Sequence, residues 1–147
     1  MRSGLLEMAD LISHHPRHVH WVHAALRIFA GAVYLQHGTQ KLFGALGGHV
    51  ATVGTLSWTG GIIETVAGTL IIAGLFTRVA AFIAAGEMAV AYFKFHAPRG
   101  FWPVMNHGET PVLLCFVFLY LAATGAGPLS LDYLRTRHRA RPVMPRT

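Results

Sequence analysis

The apolar stretches of this chain contain charged residues. Three of its six acidic residues, Glu64, Glu87 and Glu109, lie within or at the edge of segments long enough to cross a bilayer, and Arg27 lies within another. A charge at the centre of a membrane helix costs about 2.5 to 3.5 kcal/mol even on lenient insertion scales, so such residues usually face other helices or mark a proton or substrate path. The chain is therefore predicted to be a small integral membrane protein with a polar core.

The composition agrees with this prediction. Of the 147 residues, 53% are apolar and 12% are charged, a balance that is too apolar for an ordinary soluble domain. The net charge of +6 does not indicate nucleic-acid binding, because five of the twelve basic residues are concentrated in the polar tail after residue 132. Cys115 is the single cysteine, which excludes a disulfide within the chain.

Four apolar segments are predicted to be membrane-spanning helices, because each approaches the roughly 20 residues that cross the hydrocarbon core. They are residues 21–38, 59–76, 79–96 and 112–129. Before them, Leu5, Met8 and Ile12 recur at helical spacing, which predicts an interfacial helix. The predicted fold is all-α: an interfacial N-terminal segment over 1–20, an integral membrane four-helix bundle over 21–132 and a basic tail over 133–147.

The basic residues predict the orientation of the bundle. Arg2, Arg17, Arg78 and the tail arginines fall on one side of the membrane, and Lys41, Lys94 and Arg99 fall on the other. The side richer in lysine and arginine is normally cytoplasmic. Both termini are therefore predicted to be cytoplasmic, and the long connections 39–58 and 97–111 exterior. In a bacterium the protein would be a multi-pass protein of the inner membrane.

Arg27, Glu64 and Glu87 are the candidate catalytic residues. Arg27 and Glu87 are predicted to lie near the membrane midplane and Glu64 nearer the exterior end, so Arg27 is expected to pair with one carboxylate. The other carboxylate would then be free to exchange protons beside a ligand cavity. The alternative is an ion pair with a purely structural role.

The candidate ligand-binding residues gather at the predicted exterior face. They are His37, Lys41, Tyr92, His96, Trp102, Asn106, His107 and Glu109. Imidazole and carboxylate groups together suit zinc, iron or copper. However, the spacing matches no metal motif, and the sequence contains no HExxH, so no metal site is predicted.

An ordered set of motifs resembles the DoxX family of four-span membrane proteins over residues 26–132. The motifs include Arg27-x-x-x-Gly31, His37-Gly38-x-x-Lys41-Leu42-Phe43-Gly44, Glu64-x-x-x-Gly68, Gly74-Leu75-Phe76-Thr77-Arg78, His96-x-Pro98-x-Gly100-Phe101-Trp102-Pro103, Asn106-x-Gly108-Glu109 and Gly127-Pro128-Leu129-Ser130-Leu131-Asp132. Two details depart from the family pattern. Gly125-Ala126-Gly127-Pro128 stands where Gly-Pro-Gly is usual, and the loop after Gly44 lacks an expected proline-containing stretch.

The resemblance implies membrane redox chemistry, since members of the family are linked to thiosulfate:quinone oxidoreductase and to oxidative-stress enzymes. The sequence is therefore interpreted as a membrane subunit of a quinone-linked oxidoreductase or oxidative-stress system. His37, His96 or Tyr92 would donate hydrogen bonds to a quinone, and Glu64 or Glu87 would supply protons. A partner protein would supply the electrons, because the chain has no electron-carrier motif.

Two other functions fit the same residues. The chain could be a small proton-coupled transporter or channel in which Arg27, Glu64 and Glu87 form the path. It could also be a structural or assembly protein whose polar cluster only orders the bundle. A homo-oligomer is compatible with each of the three functions.

Overall fold

The computed structural model describes residues 17–139 and the side chains of residues 17–137. Over this range the chain is helical and contains no strand, which confirms the predicted all-α class. Five helices are numbered in chain order: α1 Arg17–Phe43, α2 Leu56–Ala73, α3 Thr77–Ala91, α4 Glu109–Thr124 and α5 Leu131–Arg139. The predicted interfacial helix falls mainly on residues 1–16, outside the described range.

Two helices in the described part of the chain are long and apolar enough to cross a membrane. They are α2 and the continuous helical stretch Thr77–Arg99, which contains α3. The apolar helix α4 is shorter, at 16 residues, and α1 extends over 27 residues. By length and composition, two of the four predicted spans therefore meet the requirement.

Helix α3 does not end as a regular α-helix. It continues into a π-helical turn, Tyr92–His96, and then a 3₁₀ turn, Ala97–Arg99. A single helical turn, Pro103–Asn106, precedes α4. A π turn is wider than an α turn and is often found at functional sites, so this region sets the direction of the side chains that follow α3.

A tight connection joins α2 to α3. Gly74 adopts φ 67°, and the bonds from Gly74 N to Ile71 O (3.1 Å) and from Leu75 N to Leu70 O (2.9 Å) close the end of α2. This is the left-handed termination that glycine favours. Asp132 closes the start of α3, since its carboxylate accepts from Phe76 N (2.9 Å) and Thr77 N (3.0 Å).

The helices pack through small residues. Helix α1 lies along α2 and α3 lies along α4, with α2 and α3 in contact between the two pairs. A Cβ added to Gly38 would lie 2.6 Å from the Thr65 nitrogen, so α1 and α2 can approach this closely only with glycine there. On α3, Ala81 and Ala85 are buried against Phe118 of α4 and its neighbours.

Large apolar side chains cover the outside of all four long helices. Examples are Phe29 on α1, Val66 on α2, Phe82 on α3 and Phe116 on α4, each more than half exposed. An exposed apolar surface of this extent is unusual for a soluble monomer and typical of contact with lipid.

Candidate functional site

The buried charges lie at two opposite ends of the bundle. The end that contains Lys41, Glu64 and His96 is called the Lys41 end. The end that contains Arg27, Gly74 and Asp132 is called the Arg27 end. The spacing of Arg27, Tyr34 and Lys41 on α1 connects the two ends, because residues seven apart are two helical turns apart and lie on one face.

A salt bridge joins α1 to α2 at the Lys41 end. Lys41 Nζ donates to Glu64 Oε1 at 2.7 Å, and the side chains are 30% and 1% exposed respectively. It is the one salt bridge found among the described residues. Removing two charges from water is expensive, so such a pair is retained either for its specificity or for a role in a site.

The second oxygen of Glu64 is left unsatisfied. Glu64 Oε2 is buried and has no hydrogen-bond partner in the described part of the chain. A buried polar atom without a partner costs about 1 to 3 kcal/mol, and more when it is charged. The fold therefore leaves one oxygen atom of the Lys41–Glu64 pair without a hydrogen-bond partner in the described part of the chain.

Glu87 belongs to the same cluster. Its Oε2 accepts from the Tyr34 hydroxyl at 3.0 Å, and Tyr34 is fully buried against Phe118. A Cβ added to Gly60 would lie 3.1 Å from Glu87 Oε1 and 3.8 Å from Lys41 Nζ. Gly60 thus leaves room for the Lys41 ammonium and the Glu87 carboxylate to lie near each other. Lys41, Glu64, Glu87 and Tyr34 are together called the Lys41 cluster.

Two cavities open beside the Lys41 cluster. The Glu64 cavity has a volume of about 350 Å³, and the Glu87 cavity has about 260 Å³. The two cavities share Lys41, Ser57, Ala91 and Phe95 in their walls. The polar side chains that line the Glu64 cavity are His37, Lys41, Ser57, Glu64, His96, His107 and Thr110.

His96 reaches the Glu64 cavity through the π turn. Its Nδ1 lies 3.1 Å from the Asn106 carbonyl oxygen, which can only accept, so Nδ1 is the donor. Its ring stacks on Tyr92, with 6° between the ring planes. One backbone contact therefore fixes both the tautomer and the orientation of His96.

Tyr92 and Asn106 hold the connection between α3 and α4. The Tyr92 hydroxyl donates to the Phe101 carbonyl. The Asn106 side chain donates to Gly100 O at 2.5 Å and accepts from Gly108 N at 2.8 Å. Both residues are buried, and neither lines the Glu64 cavity or the Glu87 cavity. The structure gives these two predicted ligand-binding residues a supporting position behind the site.

Two other predicted ligand-binding residues also lie outside both cavities. Trp102 is 64% exposed and packs edge-on against Phe101. Glu109 is exposed in the first turn of α4. The residues that the structure does bring together are His37, Lys41, Glu64, His96 and His107 in one cavity, with Glu87 in the adjoining cavity.

The predicted pairing of Arg27 with a carboxylate of this cluster is wrong. Arg27 is 1% exposed, and its guanidinium donates to Ile71 O (2.6 Å), Ile72 O (2.5 Å) and Leu129 O (2.6 Å). The last carbonyls of a helix have no partners within the helix and carry its partial negative charge, which attracts a cation. Arg27 thus completes the end of α2 and is separated from the Lys41 cluster.

Several residues of the site were missed by the sequence reasoning. Tyr34 was not considered, although its position midway between Arg27 and Lys41 on one helical face is a signal for it. Ser57 and Phe95 line both cavities, and no sequence pattern distinguishes them. Within residues 17–139, no three His, Cys, Asp or Glu side chains are grouped closely enough to hold a metal ion.

Comparison with known proteins gives the family. The DoxX family model matches residues 22–97. The chain belongs to the DoxX family. The matched segment includes Arg27, the whole Lys41 cluster and His96, while the connection from Phe101 to Glu109 lies beyond it. The resemblance found in the sequence motifs is thereby confirmed.

Three bacterial proteins are among the relatives of this DoxX-family chain. An uncharacterized protein of Haemophilus influenzae is 42% identical over 116 residues, which cover 74% of this chain and 87% of the relative. An uncharacterized membrane protein of Mycobacterium tuberculosis is 31% identical, with 73% and 77% covered. A Bacillus subtilis protein named "Putative oxidoreductase CatD" is 29% identical, with 73% and 81% covered. No solved structure matches the chain.

Proposed function

We propose that this DoxX-family membrane protein is a subunit of a quinone-linked oxidoreductase or oxidative-stress system, and that it binds a quinone or a similar small hydrophobic molecule in the Glu64 cavity. The observation that carries the proposal is the buried Lys41–Glu64 pair on a cavity of about 350 Å³. This volume is at the lower end of the range for ligand pockets, about 300 to 1,000 Å³. Apolar walls from Met88, Phe95 and Pro111 suit an aromatic ring.

The cavity contains groups for both parts of quinone chemistry. Lys41 can donate a hydrogen bond to a carbonyl oxygen, and Glu64 can exchange a proton with a bound oxygen atom. The name of the Bacillus subtilis relative agrees with redox chemistry. Because the sequence carries a single cysteine and no dinucleotide fingerprint, the electrons would come from a partner protein or from the ligand itself.

The bundle would cross the membrane four times. Helices α1 and α4 pack along α2 and α3 respectively, and α2 and the stretch from Thr77 are the two that are long and apolar enough to span. Exposed apolar residues on α1, such as Phe29, and on α4, such as Phe116, would face lipid at the same depth. Because α1 and α4 pack along these two helices, the packing supports a bundle that crosses the plasma membrane four times.

Both termini would lie in the cytoplasm, with the Lys41 end facing the exterior. Labelling of single cysteines in intact cells, with Cys115 replaced by Ala, tests this orientation. Gly48→Cys should react with an impermeant thiol reagent, and Thr147→Cys should react only after the cells are opened. The reverse pattern contradicts the proposed orientation.

The position of the cavities favours binding over transport. The Glu64 and Glu87 cavities are at the Lys41 end, and a cavity of about 1040 Å³ lined by Arg78 and Asp132 is at the Arg27 end. Buried apolar side chains, including Ala67, Ile71 and Phe118, occupy the bundle between the two ends. A proton or solute path through the membrane would need polar groups along its whole length. For this reason we place a small proton-coupled transporter second.

Ligand extraction and binding test the proposal. The protein purified in mild detergent should release a quinone on solvent extraction, and it should bind duroquinone in equilibrium dialysis after the signal of empty micelles is subtracted. The double variant Lys41→Met/Glu64→Leu keeps the core neutral and should weaken binding at least about tenfold, since it removes a charge-assisted hydrogen bond. Glu109→Gln, which removes an exposed carboxylate outside both cavities, is the matched control.

Equal binding by the double variant and the wild-type protein would contradict the assigned cavity. Failure of the wild-type protein to retain or bind any quinone would contradict the function, and the structural role of the cluster would then be preferred.

A further inference from the structure

The unpaired oxygen of Glu64 limits which ligands the Glu64 cavity can satisfy. Glu64 Oε1 accepts from Lys41 Nζ at 2.7 Å, and this contact with an ammonium group favours the ionised carboxylate. Oε2 is buried without a partner in the described part of the chain. An ionised carboxylate can only accept hydrogen bonds, so a ligand that satisfies Oε2 must bring an O–H or N–H group.

His96 supplies a second acceptor to the same cavity. Because Nδ1 donates to the Asn106 carbonyl oxygen, the other nitrogen of the neutral ring, Nε2, carries a lone pair. His96 lines the Glu64 cavity together with Glu64. Two side chains from different helical segments therefore offer acceptors to one ligand.

The remaining polar groups do not distinguish a donor ligand from an acceptor ligand. Lys41 can donate to any oxygen atom, while the hydroxyls of Ser57 and Thr110 and the neutral imidazoles of His37 and His107 can donate or accept. A quinone has only carbonyl acceptors, so it would leave Glu64 Oε2 buried and unpaired. A quinol has two O–H donors, which match the two acceptors. Sites built to pair with a substrate hydroxyl reject analogues that lack it, because their own polar groups then remain unpaired.

From this arrangement we infer that the Glu64 cavity selects the reduced, dihydroxy form of an aromatic ligand over the corresponding quinone, with Glu64 Oε2 and His96 Nε2 as the acceptors. The inference rests on the proposed function and specifies the ligand of the same site. Preferential binding of the reduced form also raises the reduction potential of the bound couple. A tenfold preference corresponds to about 30 mV for a two-electron couple.

Three matched ligands test the inference under anaerobic conditions. Duroquinol, duroquinone and duroquinol dimethyl ether share one ring and differ only in their oxygen groups. Equilibrium dialysis against the purified protein, corrected for empty micelles, should show duroquinol binding at least about tenfold more tightly than either of the others, as expected for one charge-assisted hydrogen bond.

Glu64→Gln supplies a second and independent test. Its carbonyl oxygen would accept from Lys41, and its amide nitrogen would replace the free acceptor with a donor. The preference for duroquinol over duroquinone should therefore fall to near one or reverse. Glu109→Gln changes an exposed carboxylate outside both cavities and should keep the wild-type preference.

The outcomes separate this inference from the proposed function. If duroquinol and duroquinone bind equally, if the dimethyl ether binds as tightly as duroquinol, or if duroquinone binds best, the selectivity is wrong while quinone binding stands. If none of the three ligands binds, both are wrong. If Glu64→Gln does not fold, the comparison of ligands on the wild-type protein still decides the question.

Discussion

The two ends of the bundle use buried charge in opposite ways. At the Arg27 end, Arg27 bonds to three backbone carbonyls and Asp132 bonds to two backbone amides, so each charged side chain completes the end of a helix. At the Lys41 end, Lys41 bonds to the side chain of Glu64 and leaves one carboxylate oxygen unpaired beside a cavity.

A structural charge in a membrane bundle differs from a functional one in its hydrogen-bond partners and its surroundings. Arg27 donates from both terminal nitrogens to backbone carbonyls, two of which lie at a helix end, while its Nε is buried without a partner in the described part of the chain. A charged group that bonds to another side chain and retains a free acceptor is not fully satisfied by the fold. Arg27 and Glu64 are each 1% exposed and each has one buried atom without a partner, so the distinction rests on the type of partner and on the cavity that Glu64 lines.

The largest predicted effect comes from breaking the salt bridge at the Lys41 end. Lys41→Met should destabilise the protein by about 3 to 5 kcal/mol, because it leaves the Glu64 carboxylate buried without a counter-charge. The double variant Lys41→Met/Glu64→Leu should recover most of this loss. Thermal unfolding in detergent measures both values. If the stability loss of the double variant equals the sum of the losses of the two single variants, Lys41 and Glu64 are not energetically coupled.

Arg27→Leu should cost less, roughly 2 to 4 kcal/mol. Ile71 O keeps its bond from Gly74 N, so the loss falls mainly on the carbonyls of Ile72 and Leu129, and the removal of a buried cation offsets part of it. Combination with Glu87→Leu should be additive, because the two residues occupy opposite ends. A double variant whose stability loss differs clearly from the sum of the two single losses would support the Arg27–Glu87 pair that the sequence predicted. The Arg27→Leu protein that is still folded should bind duroquinone with the affinity of the wild-type protein.

Asp132→Ala should destabilise the protein by about 1 to 2 kcal/mol, the usual cost of a lost N-terminal cap. Asp132→Asn keeps an acceptor for Phe76 N or Thr77 N and should recover about half of that loss. Chemical denaturation of the two variants side by side measures the difference. Identical losses would mean that the negative charge, and not the cap geometry, is what matters.

The smallest predicted effect comes from Tyr34→Phe, at about 1 kcal/mol. The variant loses only the hydrogen bond to Glu87 Oε2 and keeps the packing against Phe118. Thermal unfolding gives the stability change, and duroquinone dialysis should show that the Glu64 cavity is little affected. A large loss of binding would mean that the Glu87 and Glu64 cavities act as one site.

Much of the fold followed from the sequence. Apolar length located the four long helices to within a few residues at most ends, and the short gap between the segments 59–76 and 79–96 agrees with the tight connection between α2 and α3. The main error in extent was α1, which continues to Phe43 and carries Lys41 on the bundle face. The predicted segment ended at Gly38, so Lys41 fell in a predicted loop. Its spacing of seven residues from Tyr34 on one helical face was therefore not recognised.

The site was predicted less well for a physical reason. Counting depth along separate helices brought Arg27 level with Glu87 and within reach of Glu64, but it did not include the backbone carbonyls at the end of α2 as competing partners. Likewise, Tyr92 and Asn106 are polar residues near the mouth, yet their hydrogen bonds are directed to the backbone. Residue type and approximate depth indicate that polar groups meet, whereas the partner of each group depends on side-chain geometry.

The π turn after α3 lets the chain carry an extra residue without turning the residues that follow it. Its five residues, Tyr92–His96, complete a turn that a regular α-helix completes with about four. One residue added to a regular α-helix would instead rotate every later residue by about 100° around the axis. A relative that lacks one residue here can close a regular α turn and keep a histidine at the same place beside the Glu64 cavity. In a comparison of relatives, a one-residue gap in this turn is therefore no sign of a changed ligand, whereas a substitution of Glu64 is.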